Sequence, residues 1–452
     1  MKKRKTSKLI IPGLIVSVNS RDDLLSGYAV EISDGVINKI APVSEFDINT
    51  FDGEVFRFDN LTLIPGFVQT HIHLCQTLFR GLADDLELLD WLQKKIFPYE
   101  NSHDKNSLRA SVKLGLNELI SGGTTTIVDM GTLRHQETIF EELIKSGIRA
   151  FAGKCMIDIN QLYPEFYEST REGIDSSFQL AKEFHNSSDG KIKYAFAPRF
   201  VLSSTEKQLL ETREMMKDFE GSFFHTHASE NKKELEIVKR MHGRANVDYF
   251  ESIGILDERT VLAHCIQLEN NEFNSLKRNS VRVAHCPSSN LKLGSGIADI
   301  PRMLKEGISV SLGADGAPCN NSLSIFKEMH LSAMIQKPVH GPTSMDAKTV
   351  FKLATIDGAR ALHLENEIGS IEVGKKADLA LLDLDRPDQP LNQDLDSVYS
   401  RIVYSSNADC VKMVFIDGQI AAQDGLCLDY EKEKLIRDGK QELQKLIERV
   451  LS

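Results

Sequence analysis

Residues 61–81, LTLIPGFVQTHIHLCQTLFRG, decide the fold of this chain. An apolar run ends at Pro65-Gly66, a second short apolar run follows, and His71 and His73 come next with one residue between them. Residues two apart on a β-strand point to the same side, so both imidazoles can bind one ion. Neutral imidazole suits zinc and related divalent metals. His-x-His alone is a weak signal, because two unrelated polar residues at a strand end give the same pattern.

The chain downstream of this stretch alternates between predicted strands and helices. Strands are predicted at 124–129, 148–156, 192–197, 222–226, 260–263, 281–284 and 310–313. Helices are predicted in the same region, among them 82–97, 107–121, 137–146 and 349–362. Such alternation implies a parallel sheet. About eight strands over roughly 300 residues favour a closed (β/α)₈ barrel.

Both ends of the chain have a different sequence pattern, in which short apolar strands are joined by Asp-Gly turns. These strands are predicted at 9–18, 28–33, 36–40 and 55–58, and again at 370–373, 379–384, 411–416 and 419–422. A terminal amphipathic helix over 430–451 is predicted to pack on them. We therefore predict an α/β protein in which a TIM-like (β/α)₈ barrel, residues 65–365, is inserted into a small β-sandwich domain. Residues 1–64 and 366–452, with the terminal helix, build that domain.

Composition narrows the class of protein. The 452 residues are 41% hydrophobic and 26% charged, with a formal net charge of -11, which argues against nucleic-acid binding. No run approaches the roughly 20 apolar residues of a membrane span. Residues 1–16 have a basic head and an apolar run, but Pro12-Gly13 breaks it, and we predict a first strand rather than a signal peptide. Seven scattered cysteines are typical of reduced thiols, so we expect a cytoplasmic protein.

Residues that can bind a metal or move a proton follow five of the predicted strands. They are His71 and His73, His225 and His227, His264, His285, and Asp315. One histidine after a strand is more often a core or surface residue than a ligand. Several imidazoles and a carboxylate at one mouth of a barrel suffice for a catalytic metal with an open coordination position. The other histidines are expected on the surface: His103, His135, His185, His242, His330, His340 and His363.

At this point a family resemblance can be stated. The chain resembles the amidohydrolase superfamily, in the branch that holds adenosine-type and guanine deaminases and the s-triazine hydrolases. The matching strings are PGFVQTHIHLCQTLFRGLADDLELLDWL, APRFVLSSTE, HTHASEN, VLAHCI, AHCPSSNLKLGSG, SLGADGAPCNN and EIGSIEVGKKADLALLDL. They run in the family's order from about residue 64 to residue 384. The resemblance implies the same inserted-barrel architecture and a homo-oligomer.

The resemblance also implies roles for single residues. One divalent metal, Zn²⁺ with Fe²⁺ as the alternative, is bound by His71, His73, His227 and Asp315, since no lysine stands where binuclear branches carry a bridging one. Glu230 matches the proton-shuttling glutamate, and His264 matches the histidine that orients the attacking water. Asp315 takes the remaining proton. His225 and His285 are expected to pack behind the ligands.

The substrate is expected to be a small heterocycle. Gln76, Glu100 and Arg199 match substrate-binding positions, although methylthioadenosine and adenosylhomocysteine deaminases more often have histidine where Arg199 stands. The implied reaction replaces the exocyclic amine of an adenosine-type nucleoside, such as 5'-deoxyadenosine or methylthioadenosine, with oxygen and releases ammonia. Guanine deamination and s-triazine amino- or chlorohydrolysis stay open as alternatives. A cyclic-amide hydrolase or a non-catalytic scaffold is less well supported, because the chain keeps all four ligands, Glu230 and His264.

Overall fold

The computed structural model describes residues 7–392 and 394–452, which form a parallel barrel and a separate mixed sheet. The barrel strands are β6 Phe67–His73, β7 Thr124–Asp129, β8 Arg149–Ala152, β9 Cys155–Met156, β10 Ile192–Pro198, β11 Phe223–Ala228, β12 Thr260–His264, β13 Arg282–His285, β14 Ser309–Leu312 and β15 Asp315–Gly316. The mixed sheet contains β1 Ser7–Val16, β2 Leu24–Ser26, β3 Tyr28–Ser33, β4 Val36–Pro42, β5 Glu54–Pro65, β16 Leu379–Asp383, β17 Val411–Ile416, β18 Gln419–Gln423 and β19 Leu426–Cys427.

The helices surround the barrel and fill the connections between its strands. They are α1 Leu88–Trp91, α2 Phe97–Asn101, α3 Lys105–Ser121, α4 Gln136–Ser146, α5 Thr170–Phe184, α6 Glu206–Met215, α7 Lys232–His242, α8 Asn246–Ser252, α9 Asn270–Arg278, α10 Pro287–Lys292, α11 Ile300–Lys305, α12 Ala317–Asn320, α13 Ile325–Ile335, α14 Lys337–His340, α15 Ala347–Leu353, α16 Ile356–Ala361, α17 Val398–Ser400 and α18 Lys432–Leu451.

The barrel is closed by its last strand. Neighbouring strands pair in parallel from β6 round to β14, and β15 then pairs in parallel with β6, with Asp315 opposite Ile72 and Gly316 opposite His73. Only two residues separate β14 from β15, so the two occupy one strand position. The strand residues are buried almost throughout, because helices cover the outside and side chains fill the inside. The predicted (β/α)₈ fold class is confirmed.

The small sheet is built from both ends of the chain, as predicted. Strand β5 pairs in parallel with β1 from the N-terminal part and antiparallel with β16 from the C-terminal part. The chain leaves this sheet at Pro65 and enters the barrel at Phe67. A Cβ at Gly66, between them, would lie 2.2 Å from Oγ1 of Thr125, so only glycine allows this close crossing. The domain boundaries themselves, after residues 64 and 365, stay a prediction.

Three predicted elements differ from the structure. The helix expected over 82–97 begins only at Leu88, since Asp84 is held by Lys292 and Asn321 outside any helix, and it continues through a π-helical turn to Asn101. The helix expected over 349–362 is two helices, because the carbonyl of Ala354 turns to accept the N–H of Val68. The strand expected over 370–373 is an irregular turn.

The terminal helix α18 packs on the barrel and not, as predicted, on the β domain. Its apolar stripe, including Leu443 and Leu446, meets Ala110 and Leu114 of α3. The preceding strand directs it there, because the N–H of Cys427 donates to Oδ1 of Asn117 on α3. Neither α18 nor any other helix within residues 7–392 and 394–452 is long and apolar enough to cross a membrane.

Candidate metal centre and active site

Four ligand atoms converge where three barrel strands end. His71 and His73 on β6, His227 on β11 and Asp315 on β15 are buried, and each offers one atom within 4.8 Å of the others. Oδ1 of Asp315 lies 3.3 Å from Nε2 of His71 and 3.4 Å from Nε2 of His73, and Nε2 of His73 lies 3.2 Å from Nε2 of His227. Tetrahedral ligands about 2.1 Å from one zinc ion lie about 3.4 Å from one another. The spacing therefore fits one small cation.

Hydrogen bonds outside the cluster turn two imidazoles towards it. Nδ1–H of His225 donates to the carbonyl of Val261 at 3.1 Å, so its Nε2 accepts from Nδ1–H of His71 at 2.8 Å. Nδ1–H of His227 donates to the carbonyl of Arg199 at 2.7 Å. Because a neutral imidazole has one N–H, Nε2 of His71 and of His227 each present a lone pair to the cluster. Nε2 of His71 has no hydrogen-bond partner among the described residues.

Charge states in the cluster also suit a cation. Burial lowers the pKa values of His71, His73 and His227, so the three imidazoles are neutral at pH 7. Burial opposes ionisation of Asp315, but the surrounding imidazoles, His71 first and then His264 and His73, keep its pKa well below the usual range. Neutral imidazole and ionised carboxylate are the forms that bind a divalent ion. The residues fit the metal that the family resemblance implies.

Glu230 and His264 lie beside the cluster without belonging to it. Oε2 of Glu230 is 3.5 Å from Nε2 of His264, which is 3.8 Å from Oδ2 of Asp315. Nδ1–H of His264 donates to Oδ1 of Asn290 at 2.8 Å, so its Nε2 is free to accept. Burial, with the negative charges of Asp315 and Glu234, raises the pKa of Glu230 well above its ordinary value. Glu230 can therefore hold a proton at neutral pH.

The backbone at the site adopts left-handed conformations at residues other than glycine. The φ angles are 51° at Ser229, 75° at His264 and 62° at Asp315. Each such conformation costs on the order of 1–3 kcal/mol and persists where the surroundings enforce it. Here the pairing of β12 with β11 and of β15 with β6 supplies that constraint on either side of the cluster. Three of the left-handed non-glycine residues in the described chain therefore lie where the candidate functional side chains are held.

The cluster lies in a chamber with about 350 Å³ of empty space, part of which is open to solvent. One side carries the polar groups His73, His227, Glu230, His264 and Asp315. The facing wall is apolar and consists of Leu88, Trp91, Leu92, Phe200 and Leu293. Every lining side chain is buried, so the chamber lies deep in the barrel mouth. Nε1–H of Trp91 has no hydrogen-bond partner in the described part of the chain, so it is available to an acceptor on a bound molecule.

The three residues predicted to bind substrate form one hydrogen-bonded network that starts at the chamber wall and continues behind it. A guanidinium nitrogen of Arg199 donates to Oε2 of Glu100 at 3.0 Å, and Nε2 of Gln76 donates to Oε1 of Glu100 at 2.8 Å. Burial disfavours the charge of Arg199, but the Glu100 carboxylate raises the pKa of this guanidinium above its ordinary value. Arg199 lines the chamber, whereas Gln76 and Glu100 lie behind it. Their roles towards substrate stay a prediction.

Sequence reasoning missed several side chains that the structure brings to the site. Oγ of Ser289 donates to Oδ2 of Asp315 at 2.7 Å, and the next residue, Asn290, holds His264. Trp91 and its neighbours supply the apolar wall. Ser289 and Asn290 stand in the string AHCPSSNLKLGSG, which carried part of the resemblance, but serine and asparagine have no spacing that marks them as partners of a ligand. Only the position of α10 shows their role.

Two histidines outside the cluster, His103 and His285, are buried in the structure. The prediction that His103 lies on the surface is wrong: it is 7% exposed, Nε2–H donates to the carbonyl of Cys75 at 2.8 Å, and Nδ1 accepts from Oγ of Ser107 at 2.9 Å. It anchors the start of α3 to the turn after β6. His285 is buried, as expected, and burial lowers its pKa to about 3. The remaining predicted surface histidines are half-buried or exposed.

A closed (β/α)₈ barrel with three imidazoles and a carboxylate at the carboxyl ends of its strands defines the class of metal-dependent barrel hydrolases. Residues 62–421 match the model of the Amidohydrolase family, and the chain belongs to this family. The resemblance stated from the sequence motifs is confirmed, and so is the prediction of an amidohydrolase-type enzyme.

Similar proteins extend over nearly the whole chain. A 5-methylthioadenosine/S-adenosylhomocysteine deaminase of Thermodesulfovibrio yellowstonii is 34% identical over 93% of this chain and 94% of its own. A 5'-deoxyadenosine deaminase of Methanothermobacter thermautotrophicus is 37% identical over 89% of this chain and 91% of its own. Among solved structures, an adenosine deaminase from Xanthomonas campestris with bound zinc superposes with a TM-score of 0.90, at 28% identity, over 98% of this chain and 99% of its own.

Proposed function

We propose that this chain is a deaminase that uses one divalent metal ion, Zn²⁺ with Fe²⁺ as the alternative, to convert the exocyclic amine of an adenosine-type nucleoside to oxygen with release of ammonia. The observation that carries the proposal is the pair of Glu230 and His264, 3.5 Å apart, beside the four-ligand cluster in a buried chamber. The names of the relatives, deaminases of methylthioadenosine and 5'-deoxyadenosine, support the same reaction.

The chain's own residues supply the proton transfers. A divalent ion in the cluster supplies, when bound, a water whose pKa falls to about 7. Nε2 of His264 accepts a hydrogen bond from the attacking water and so orients it towards the carbon that bears the amine. Attack on the carbon that bears the amine pushes charge onto the adjacent ring nitrogen, and the buried carboxyl of Glu230 donates a proton there. The proton that the water gives up before the attack restores the carboxyl of Glu230, and Asp315 takes the remaining proton and passes it to the departing ammonia.

The apolar wall favours some substrates over others. Leu88, Trp91 and Leu92 offer apolar contacts to the part of a bound nucleoside that lies away from the cluster. The charge of Arg199 is already paired with Glu100. An uncharged 5' group therefore fits the chamber better than a zwitterionic amino-acid tail, since burying an unpaired charge is costly. The proposal favours 5'-deoxyadenosine and methylthioadenosine over adenosylhomocysteine.

The test is ammonia release by the zinc-reconstituted protein. 5'-Deoxyadenosine, methylthioadenosine, adenosylhomocysteine, guanine and an aminotriazine are assayed in parallel, with Asp315→Ala as the control without a complete ligand set. The expected result is turnover of the first two compounds. Turnover of guanine or of the triazine alone would replace the proposed substrate class. No ammonia from any nucleoside, with metal bound, would contradict the deaminase.

Three further parts of the proposal concern the whole molecule. The seven cysteines, all within the described residues, are free and buried, which supports a reducing compartment and hence a cytoplasmic location. We also propose the domain division at residues 64 and 365 and a homo-oligomer. Size-exclusion chromatography with light scattering tests the oligomer, and expression of residues 65–365 alone tests the division, because an independent barrel should fold and bind metal.

A further inference from the structure

A second buried carboxylate, Glu234, lies directly behind Glu230. Glu234 is 1% exposed and sits in the first turn of α7. Its Oε2 accepts the backbone N–H of Glu230 at 2.9 Å and that of Asn231 at 3.3 Å. Its Oε1 accepts from Nδ2 of Asn246 at 2.6 Å, which ties the same side chain to the start of α8. The carboxylate thus joins Glu230 to two helices.

The other side of Glu230 is fixed by backbone contacts. The carbonyl of Ser229 accepts the N–H of Ile266 at 2.9 Å and that of Gln267 at 2.8 Å. Ser229 itself is held in the left-handed region. The peptide that precedes Glu230 is therefore clamped between the loop after β12 and the carboxylate of Glu234. Rotation of that peptide would swing the Glu230 side chain away from His264.

Helix capping alone does not account for the arrangement. The N-terminus of α7 is capped by Asn231, whose Oδ1 accepts the N–H of Lys233 at 2.9 Å, and Glu234 completes that capping box through the N–H of Asn231. The shorter bond to the N–H of Glu230 lies one residue before the cap, and the bond from Asn246 lies outside α7 altogether. Both extra bonds serve the loop that carries Glu230.

We propose that Glu234 is a positioning residue that holds the backbone of Glu230 so that its carboxyl points between His264 and the metal cluster. The inference rests on the proposed function of Glu230. A carboxyl that must reach a ring nitrogen has little tolerance, since a displacement of about 1 Å can cost about 10²-fold in rate. Loss of Glu234 should therefore reduce turnover while leaving the four metal ligands in place.

The experiment compares Glu234→Ala and Glu234→Gln with Glu272→Ala. Glu272 is a matched control, because it is also fully buried and accepts backbone N–H groups from Glu269 and from Val247 of the same helix α8, but it makes no bond to Glu230. The measurements are metal content, kcat and KM for ammonia release, and hydrogen–deuterium exchange of the peptide covering 226–236.

Glu234→Ala should lower kcat about 10- to 100-fold with KM and metal content near wild type, and should speed exchange at Glu230 and Asn231. Glu234→Gln should keep most of kcat, because its amide oxygen can accept the two N–H groups while a turned Asn246 accepts from its Nε2. Glu272→Ala should lower the melting temperature and leave kcat and exchange of this peptide unchanged. If Glu234→Ala does not fold, Glu234→Asp, which withdraws the carboxylate by one methylene, should show the same losses.

Wild-type kcat in the folded Ala or Asp variant, equal loss in Glu272→Ala, or unchanged exchange at Glu230 would overturn the positioning role. If the wild-type protein itself releases no ammonia from any nucleoside, the proposed function fails. The exchange of the Glu230 and Asn231 amides, measured without substrate, then still decides whether Glu234 holds this loop.

Discussion

Replacing Glu230 by glutamine removes a proton donor and little else. The side chain is 5% exposed, lies 3.5 Å from Nε2 of His264 and contributes no atom to the four-ligand cluster. Its raised pKa favours the protonated form, which is the form that the proposed role of proton donor requires. Glutamine has the same volume and keeps one oxygen, but its amide cannot transfer a proton at neutral pH. Metal binding and side-chain packing should therefore be unchanged in the variant.

The expected loss follows from the role. Positioned general acid–base groups contribute about 10²–10⁴-fold, so kcat should fall by that factor, which equals about 3–5 kcal/mol at 1.36 kcal/mol per decade. Steady-state ammonia release from 5'-deoxyadenosine measures the rate, and elemental analysis of the same sample measures metal. Glu272→Gln, an equally conservative change at another buried carboxyl, should keep the wild-type rate. Turnover of Glu230→Gln within about threefold of wild type, with metal bound, would remove Glu230 from the proton transfers.

Three other predictions concern the ligands, the buried ion pair and pH. Asp315→Ala should lose both metal and activity because it removes one ligand of four, and a full metal complement in this variant would show that Asp315 does not bind the ion. Glu100→Gln should lower the free energy of unfolding by about 3–5 kcal/mol in urea denaturation, because it leaves Arg199 buried without its charged partner; an unchanged midpoint would refute that reasoning. Burial raises the pKa of Glu272 to about 7. Ionisation of this side chain destabilises the folded protein, and this effect is absent below about pH 4.5 and complete above about pH 7. The wild-type unfolding free energy should accordingly fall across that window by up to about 3 kcal/mol relative to Glu272→Gln, and parallel pH profiles for the two proteins would contradict the shift.

The barrel and the residues of its metal cluster could be predicted because both follow from local rules. Buried parallel strands are short apolar runs, and side chains just beyond them meet at one edge of a closed sheet. His71, His73, His227 and Asp315 each stand at or just beyond such a run, and the structure brings all four together. Apart from the pair His71 and His73, their spacing in sequence carries no information, but their position after a strand does.

The parts that could not be predicted depend on contacts between distant segments. The turn at 82–87 looks helical by composition, but Asp84 is held by residues far along the chain. The apolar stripe of α18 does not identify the surface on which the helix packs, and only the fold shows that α3 covers it. Likewise, sequence similarity marks Gln76, Glu100 and Arg199 as substrate contacts, whereas their mutual hydrogen bonds appear only in three dimensions.

The pairing of β15 with β6 has a consequence for the order of assembly. It places Asp315, from the last strand position, against His71 and His73, from the first. A chain that ends before residue 315 has the three histidines of the cluster but not the carboxylate, so the set of four ligands is complete only when the ring of strands is complete. An ion that binds only the completed ring stabilises it by mass action, about 2.7 kcal/mol at a free concentration 100 times its Kd. Metal uptake therefore reports that the barrel has closed, and chelation should reopen the seam between its first and last strands.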